Sequence, residues 1–245
     1  MSAKKYLTEI SSIINKVMET QLDNIKAVAE IIVDAAVNKK SIYVFGCNHA
    51  GILAQELFYR TGGLAIINPV MAPGLVLEAR PVTLTTGIER LEGYGEIIAD
   101  SLSLREGDVL IIHSVSGRNN VPIDMALRAW ELKAKVIVIT NVDYSSKVES
   151  RHHSGKRLYE LADIVLDNCG VYGDAAIEIE GLPCKVGPTS TAVGAAILNA
   201  VVVECAELFL QKGVTPPIFI SSNVDGGDEH NARILEEYKD SIHYM

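Results

Sequence analysis

The chain has 245 residues, 48% of them hydrophobic and 22% charged, which supplies a sizeable core and excludes the composition of a disordered chain. Its formal net charge is -9 with no Lys/Arg cluster. That argues against nucleic acid or an anionic membrane as the main partner, and leaves room for a small phosphorylated ligand.

The first residues, Met1 to Tyr6, lack an apolar signal core, and the apolar runs are interrupted short of a membrane span. A cytoplasmic protein with no membrane partner is expected. From Tyr6 to Val37, Leu7, Ile10, Ile13, Ile14, Val17 and Met18, then Leu22, Ile25, Val28, Ile31, Ile32 and Ala35, recur at helical spacing. Gln21-Leu22-Asp23 marks a kink or break. This stripe is longer than one small sheet covers, so residues 1–40 are expected to form a helical segment, either a lid or a subunit contact. Residues 41–245 form the main domain, ending in a tail helix.

Ser41 to Phe45 reads as a buried strand, followed by Gly46-Cys47-Asn48-His49-Ala50-Gly51 and a helix from Ile52 to about Thr61. The glycines allow a tight turn and close approach of a ligand to backbone N–H groups. The spacing is not that of a dinucleotide fingerprint, and no acidic residue ends a clear second strand, so NAD is not expected, nor any other cofactor. Leu64 to Asn68 reads as the second strand. From Pro69 to Leu91, Pro69, Pro73, Gly74, Pro81 and Gly87 punctuate short apolar pieces, and Glu78 and Arg80 sit among them. Connections this long inside compact domains are usually functional or mobile. Tyr94 to Leu104 reads as a short amphipathic helix.

Asp108 to Asn141 then reads as one strand–helix–strand unit. Val109 to His113 is apolar, Ser114 to Asn120 is a turn rich in hydroxyls and amides, Pro122 to Leu132 is helical, and Lys135 to Thr140 is apolar again. In open parallel sheets ligands bind at the carboxyl ends of strands, which makes that turn the first place to look for chemistry. Asn141 to Gly155 is polar and reads as a loop or a frayed helix. Its adjacent His152 and His153 do not converge on one ligand, and Cys47, Cys169, Cys184 and Cys205 have no metal-ligand spacing, so no metal site is expected. The thiols read as free and reduced. Ala162 to Leu166 and Ala175 to Ile179 are further strands. Ala192 to Leu210 is apolar on most sides and therefore central, with Pro188 at its start, Thr189 or Ser190 capping it and Gly213 ending it. A last helix runs from Ala232 to about Tyr238.

Three turns share a chemistry: Asn48-His49, Ser114 to Asn119, and Thr189-Ser190-Thr191. Each joins small polar side chains to a helix N-terminus, the environment a phosphate prefers. Arg118 adds a charged donor. Helix capping accounts for any one of these turns; three together favour binding.

His113-Ser114-Val115-Ser116-Gly117-Arg118-Asn119 resembles the Ser-x-Ser-Gly-x-Thr loop of the SIS (sugar isomerase) domain, and Lys133 to Asn141 resembles the strand after it. Gly46 to Gly63 is similar to that family's first turn and helix, Pro188 to Thr191 to its third phosphate-contacting turn, and Asn223 to Asn231 to the tail of a subgroup labelled phosphoheptose isomerase. The resemblance implies a three-layer αβα fold with a five-stranded parallel sheet. It implies a phosphosugar held by Ser114, Ser116, Asn119 and Thr189 to Thr191, and a homodimer or homotetramer with sites near subunit boundaries. The chain departs from the family at Ala50, where a serine is common, and at Lys185, where synthase members carry a glutamate base. The apolar helix carries Asn199 and Glu204 but no histidine.

Aldose–ketose isomerisation through an enediol needs a base near C1/C2 and a proton donor. Glu56, Glu78 and His230 are the candidates, with Asn48, His49, Ser114, Ser116, Arg118, Asn119, Thr189, Ser190 and Thr191 as substrate contacts. The alternatives are a phosphosugar sensor without turnover and a lyase or etherase acting on an amino-sugar phosphate.

Overall fold

A computed structural model describes residues 1–245. In chain order the elements are α1 (Ser2–Thr20), α2 (Leu22–Val37), β1 (Ile42–Gly46), a 3-10 turn (Asn48–Gly51), α3 (Ile52–Leu57), β2 (Ile67–Val70), α4 (Leu84–Ile88), α5 (Tyr94–Ser101), β3 (Val109–His113), α6 (Asn120–Glu131), β4 (Lys135–Thr140) and α7 (Val142–Ser146). They continue with β5 (Ile164–Asp167), β6 (Ala175–Ile177), β7 (Val186–Pro188), α8 (Ser190–Gln211) and α9 (Gly227–Glu237).

Five strands pair in parallel in the order β2-β1-β3-β4-β5. Side-chain parity divides the core in two. Ile42, Val44, Val109, Ile111, Ile137 and Ile139 pack with α1, α2, α3 and α8 on one face. Tyr43, Phe45, Leu110, Ile112, Val136 and Val138 pack with α5 and α6 on the other. Burial on both faces is why these strands read as continuous apolar runs rather than alternations. The result is the expected three-layer αβα sandwich.

The N-terminal helices belong to the same core as the sheet, through Ile13, Val17, Ile25, Val28 and Ile32. Their break falls at Gln21, and edge strand β5 explains it. The Gln21 side-chain oxygen accepts from Asp167 N at 3.0 Å, and Asn24 Nδ2 donates to the Val165 carbonyl at 3.1 Å. Polar side chains at the helix junction thus occupy backbone groups that would otherwise be an open sheet edge.

Several boundaries differ from the sequence reading. The second strand is Ile67–Val70 rather than 64–68, because residues 63–65 pair with the C-terminal segment: Ala65 N donates to Pro217 O, and Leu64 bridges Ile218. The third helix stops at Leu57 rather than near Thr61. Residues 175–177 form an antiparallel ribbon with 186–188, so Pro188 ends a strand instead of opening a helix. The last helix starts at Gly227, five residues before Ala232. A Cβ at Gly227 would lie 2.2 Å from Ser221 O, so only glycine permits that close turn. Asp228 and Glu229 then suit the helix's positive end. Helix α8 is long and apolar enough to cross a membrane by length and composition. Here it packs against α2 and α3.

Candidate functional site

Strand β1 lies between β2 and β3, so the connections leave its carboxyl end in opposite directions and open a crevice there. Two of the three polar turns border that crevice directly, following β1 and β3. At the first, a Cβ on Gly46 would meet backbone atoms of Ala50 at 2.5 Å, so glycine is needed for the turn to close. Asn48 takes a positive φ of 57°, a conformation asparagine tolerates. Its Nδ2 donates to Glu89 Oε2 at 3.0 Å, while its Oδ1 is buried without a partner. His49 is exposed and makes no side-chain hydrogen bond.

The central turn is held by its carbonyls. Val115 O accepts from Asn141 N at 3.2 Å and Thr140 Oγ1 at 3.0 Å, Gly117 O from Leu158 N at 2.8 Å, and Arg118 O from Arg151 N at 2.8 Å. The Gly117 amide folds back onto Ser114 Oγ at 3.3 Å. The amides of Ser116, Arg118, Asn119 and Asn120 donate to no protein acceptor. They stand at the N-terminus of α6, with the half-buried Ser116 beside them. Unpaired N–H groups converging at a helix start form an anion-binding nest.

Glu89 flanks this nest. Its carbonyl accepts from Val121 N at 3.2 Å, and its carboxylate accepts from Asn48. Burial pushes the Glu89 carboxyl above its ordinary pKa, and hydrogen bonds from Asn119 and Asn48 with the charges of Arg90 and Arg151 only partly offset that. On the other side stands His113, the last residue of β3 and 1% exposed. Its Nδ1–H donates to the Ala50 carbonyl at 3.1 Å, which leaves Nε2 an acceptor with no partner. Burial pulls its pKa down, against the Ala50 carbonyl and Asp174, so the ring is neutral.

The third turn is built differently. Asp174, at a positive φ of 69°, places its carboxylate on the N-terminus of α8. It accepts from Thr189 N at 3.0 Å, Ser190 N at 2.8 Å, Ser190 Oγ at 2.8 Å and Thr189 Oγ1 at 3.2 Å. The Thr189 and Ser190 donors that the sequence offers to a phosphate here are therefore engaged by an internal carboxylate, while the half-buried Thr191 makes no side-chain hydrogen bond. Gly170 lies where a Cβ would stand 3.0 to 3.2 Å from Thr189 Oγ1, Asn168 Oδ1 and Asn141 Nδ2, and the buried Asn168 Nδ2 is unpaired.

The sequence-derived acid–base candidates are not bonded to these turns. Glu56 pairs with Arg60 and accepts from Asn199 Nδ2 at 3.1 Å. Glu78 is exposed and makes no side-chain hydrogen bond. His230 Nε2–H donates to the Ile218 carbonyl at 3.0 Å. No hydrogen bond or ion pair joins Glu56, Glu78 and His230 to one another or to the central turn. His152 serves structure: its Nδ1 accepts from Ser154 N and its Nε2–H donates to the buried Asp124 at 2.9 Å. The residues missed by sequence reading are Glu89, His113 and Asp174. Glu89 lies inside the 69–91 connection, whose length is the available signal, and His113 closes an apolar run. A cavity of about 580 Å³ opens at the opposite edge of the sheet, around Ser41, Tyr43 and His243, and shares no residue with these turns.

The crossover of the parallel αβα sheet thus carries an amide nest, a half-buried carboxyl and a buried histidine whose Nε2 has no partner. A family model described as the SIS domain matches residues 5–141, and the chain belongs to that family. Its relatives include proteins named UPF0309. One from Oceanobacillus iheyensis is 49% identical over 242 residues, covering 99% of this chain and 98% of that protein. One from Streptomyces coelicolor is 39% identical over 243 residues, covering 99% and 97%. Among solved structures, a phosphoheptose isomerase from Francisella tularensis superposes with a TM-score of 0.57 at 15% identity, over 84% of this chain and 96% of that one. The Vibrio vulnificus NanR protein complexed with ManNAc-6P gives 0.51 at 17% identity, over 96% and 69%. At these identities the likeness is one of fold.

Proposed function

We propose that this protein binds a phosphorylated sugar and interconverts its aldose and ketose forms. The observation that carries the reading is the nest of unpaired amides at Ser116, Arg118, Asn119 and Asn120, set beside the half-buried Glu89 carboxyl. The phosphate sits in the nest, with the Ser114 and Ser116 hydroxyls and the α6 N-terminus as neutral donors. Glu89 is the base: its carboxylate takes the proton from C2 as the C1 carbonyl becomes an enediolate oxygen, the hydroxyl proton passes from O2 to O1, and Glu89 returns its proton to C1. A carboxyl with a pKa raised by burial is a stronger base than an exposed one. The unpaired Nε2 of the neutral His113 accepts from a sugar hydroxyl. Asn48, whose Oδ1 has no partner, binds another hydroxyl and orients Glu89. In this reading Glu56, Glu78 and His230 are outside the chemistry.

The test is NMR in D₂O with pentose, hexose, heptose and amino-sugar phosphates. Deuterium should enter C2 of a substrate with wild type and with Glu56→Gln, Glu78→Gln and His230→Ala, but not with Glu89→Gln. Exchange that persists in Glu89→Gln removes the base assignment. Binding without exchange by any phosphosugar leaves a sensor, and elimination of a substituent instead of exchange identifies a lyase.

A further inference from the structure

Arg90, Arg118 and Arg151 gather at the mouth of the crevice in a chain whose net charge is -9. The backbone ties them together around the start of α6. Arg151 N donates to Arg118 O at 2.8 Å, and Asn120 Nδ2 donates to Arg90 O at 2.9 Å. The Arg151 guanidinium reaches Asn119 Oδ1 at 2.6 Å. None of the three is in an ion pair, although the other six arginines include four that are. Arg118 Nε is buried and has no partner. Partial burial, followed by repulsion from Arg118 and Arg90, lowers the pKa of Arg151. Glu89 is the one carboxylate set among them, and burial already disfavours its charge.

The Arg118 and Arg90 charges both repel that of Arg151, and a single monophosphate in the nest needs none of the three, because the free amides and hydroxyls already supply its donors. Such a cluster is stabilised by an anion with planar or tetrahedral oxygens that accept from guanidinium forks. We propose that the ligand carries a second anionic group, so that the substrate class is sugar phosphates bearing a carboxylate or a second phosphate. The amide nest takes one anion and the three arginines take the other. This rests on the phosphosugar reading and narrows it. It also gives Arg90 and Arg151, neither of which is a phosphate-loop residue, a role in selecting substrate.

The test is calorimetric titration of the full chain with glucose 6-phosphate, 6-phosphogluconate and fructose 1,6-bisphosphate. One or both doubly anionic ligands should bind at least about tenfold more tightly than the monophosphate, with a steeper loss of affinity as salt rises. Which of them binds tells a carboxylate from a second phosphate. Arg90→Gln and Arg90→Gln/Arg151→Gln should erase that advantage and change monophosphate affinity less than about threefold. The comparison of ligands on wild type stands even if the double variant folds poorly. Equal affinity for all three ligands overturns the inference and leaves the phosphosugar reading intact. Equal loss of every ligand in the folded variants also overturns it, since the arginines would then hold the phosphate itself. Binding of no sugar phosphate, in the broader panel as in these three, removes the phosphosugar reading and the inference with it.

Discussion

The carboxylate of Asp174 fastens the longest helix of the protein to the crevice, and two substitutions separate its contributions. It accepts two backbone N–H groups and two hydroxyls at the start of α8, at 2.8 to 3.2 Å. Asn in its place keeps the shape, tolerates the positive φ and retains one acceptor, but loses the charge facing the helix dipole. That costs about 1 kcal/mol. Ala also loses the cap, about 1 kcal/mol, and must hold a left-handed conformation, about 1 kcal/mol more. The sum for Asp174→Ala is about 3 kcal/mol. For a chain of this size, ~2–4 °C per kcal/mol gives a fall of about 3 °C for Asp174→Asn and about 9 °C for Asp174→Ala. Differential scanning calorimetry on the pair reads both. Asp174→Asn equal to wild type, or Asp174→Ala no worse than Asp174→Asn, would refute the reasoning.

Glu89→Gln should lower turnover by about 10²- to 10⁴-fold, yet leave the melting temperature at pH 7.5 equal or higher. Burial raises the Glu89 pKa, so the folded state carries this carboxylate at a cost once pH exceeds the unfolded value of 4.5, and the neutral amide removes that cost. A lower melting temperature at pH 7.5 would count against the cause assigned to the shift. His113 has the opposite linkage: below pH 6.5 the unfolded imidazole takes a proton that the folded one resists, so acid favours unfolding. Stability curves from pH 7.5 to 5 should therefore be steeper for wild type than for His113→Gln, and parallel curves would remove the effect. Leu7 and Met18 on α1 and Val203 and Leu210 on α8 are exposed on helices that pack together. We propose that they form the contact of a homodimer. Light scattering should give about twice 26.5 kDa for wild type and one chain for Val203→Arg, and a monomeric wild type would exclude it.

The fold was legible because the strands are buried on both faces. Runs such as Val109 to Ile112 and Val136 to Ile139 admit few other readings, and the polar turn between them marks the sheet's carboxyl edge. Boundaries set by tertiary contacts were not legible. Residues 63–65 look like a strand but pair with 217–219, and the 175–188 ribbon exists only because its two halves meet. The site was half legible. Small polar residues at helix starts announced the turns, but Thr189 and Ser190 look the same whether they await a phosphate or are held by Asp174, fifteen residues earlier. Glu89 acquires its environment from Asn48 and Asn119, 41 and 30 positions away, and no local pattern carries that.

In the proposed function the amide nest at Ser116 to Asn120 receives the phosphate of a sugar. A pair of calorimetric titrations of wild type tests this most directly: the best-binding phosphosugar, and the same sugar without phosphate. Ser116→Asp, which puts a negative charge into the nest, is measured alongside. The phosphorylated sugar should bind with at least about a hundredfold advantage, as loss of two charge-assisted hydrogen bonds would give, and Ser116→Asp should abolish binding while remaining folded. Equal affinity for the two sugars, or unchanged affinity in a folded Ser116→Asp variant, would contradict the account.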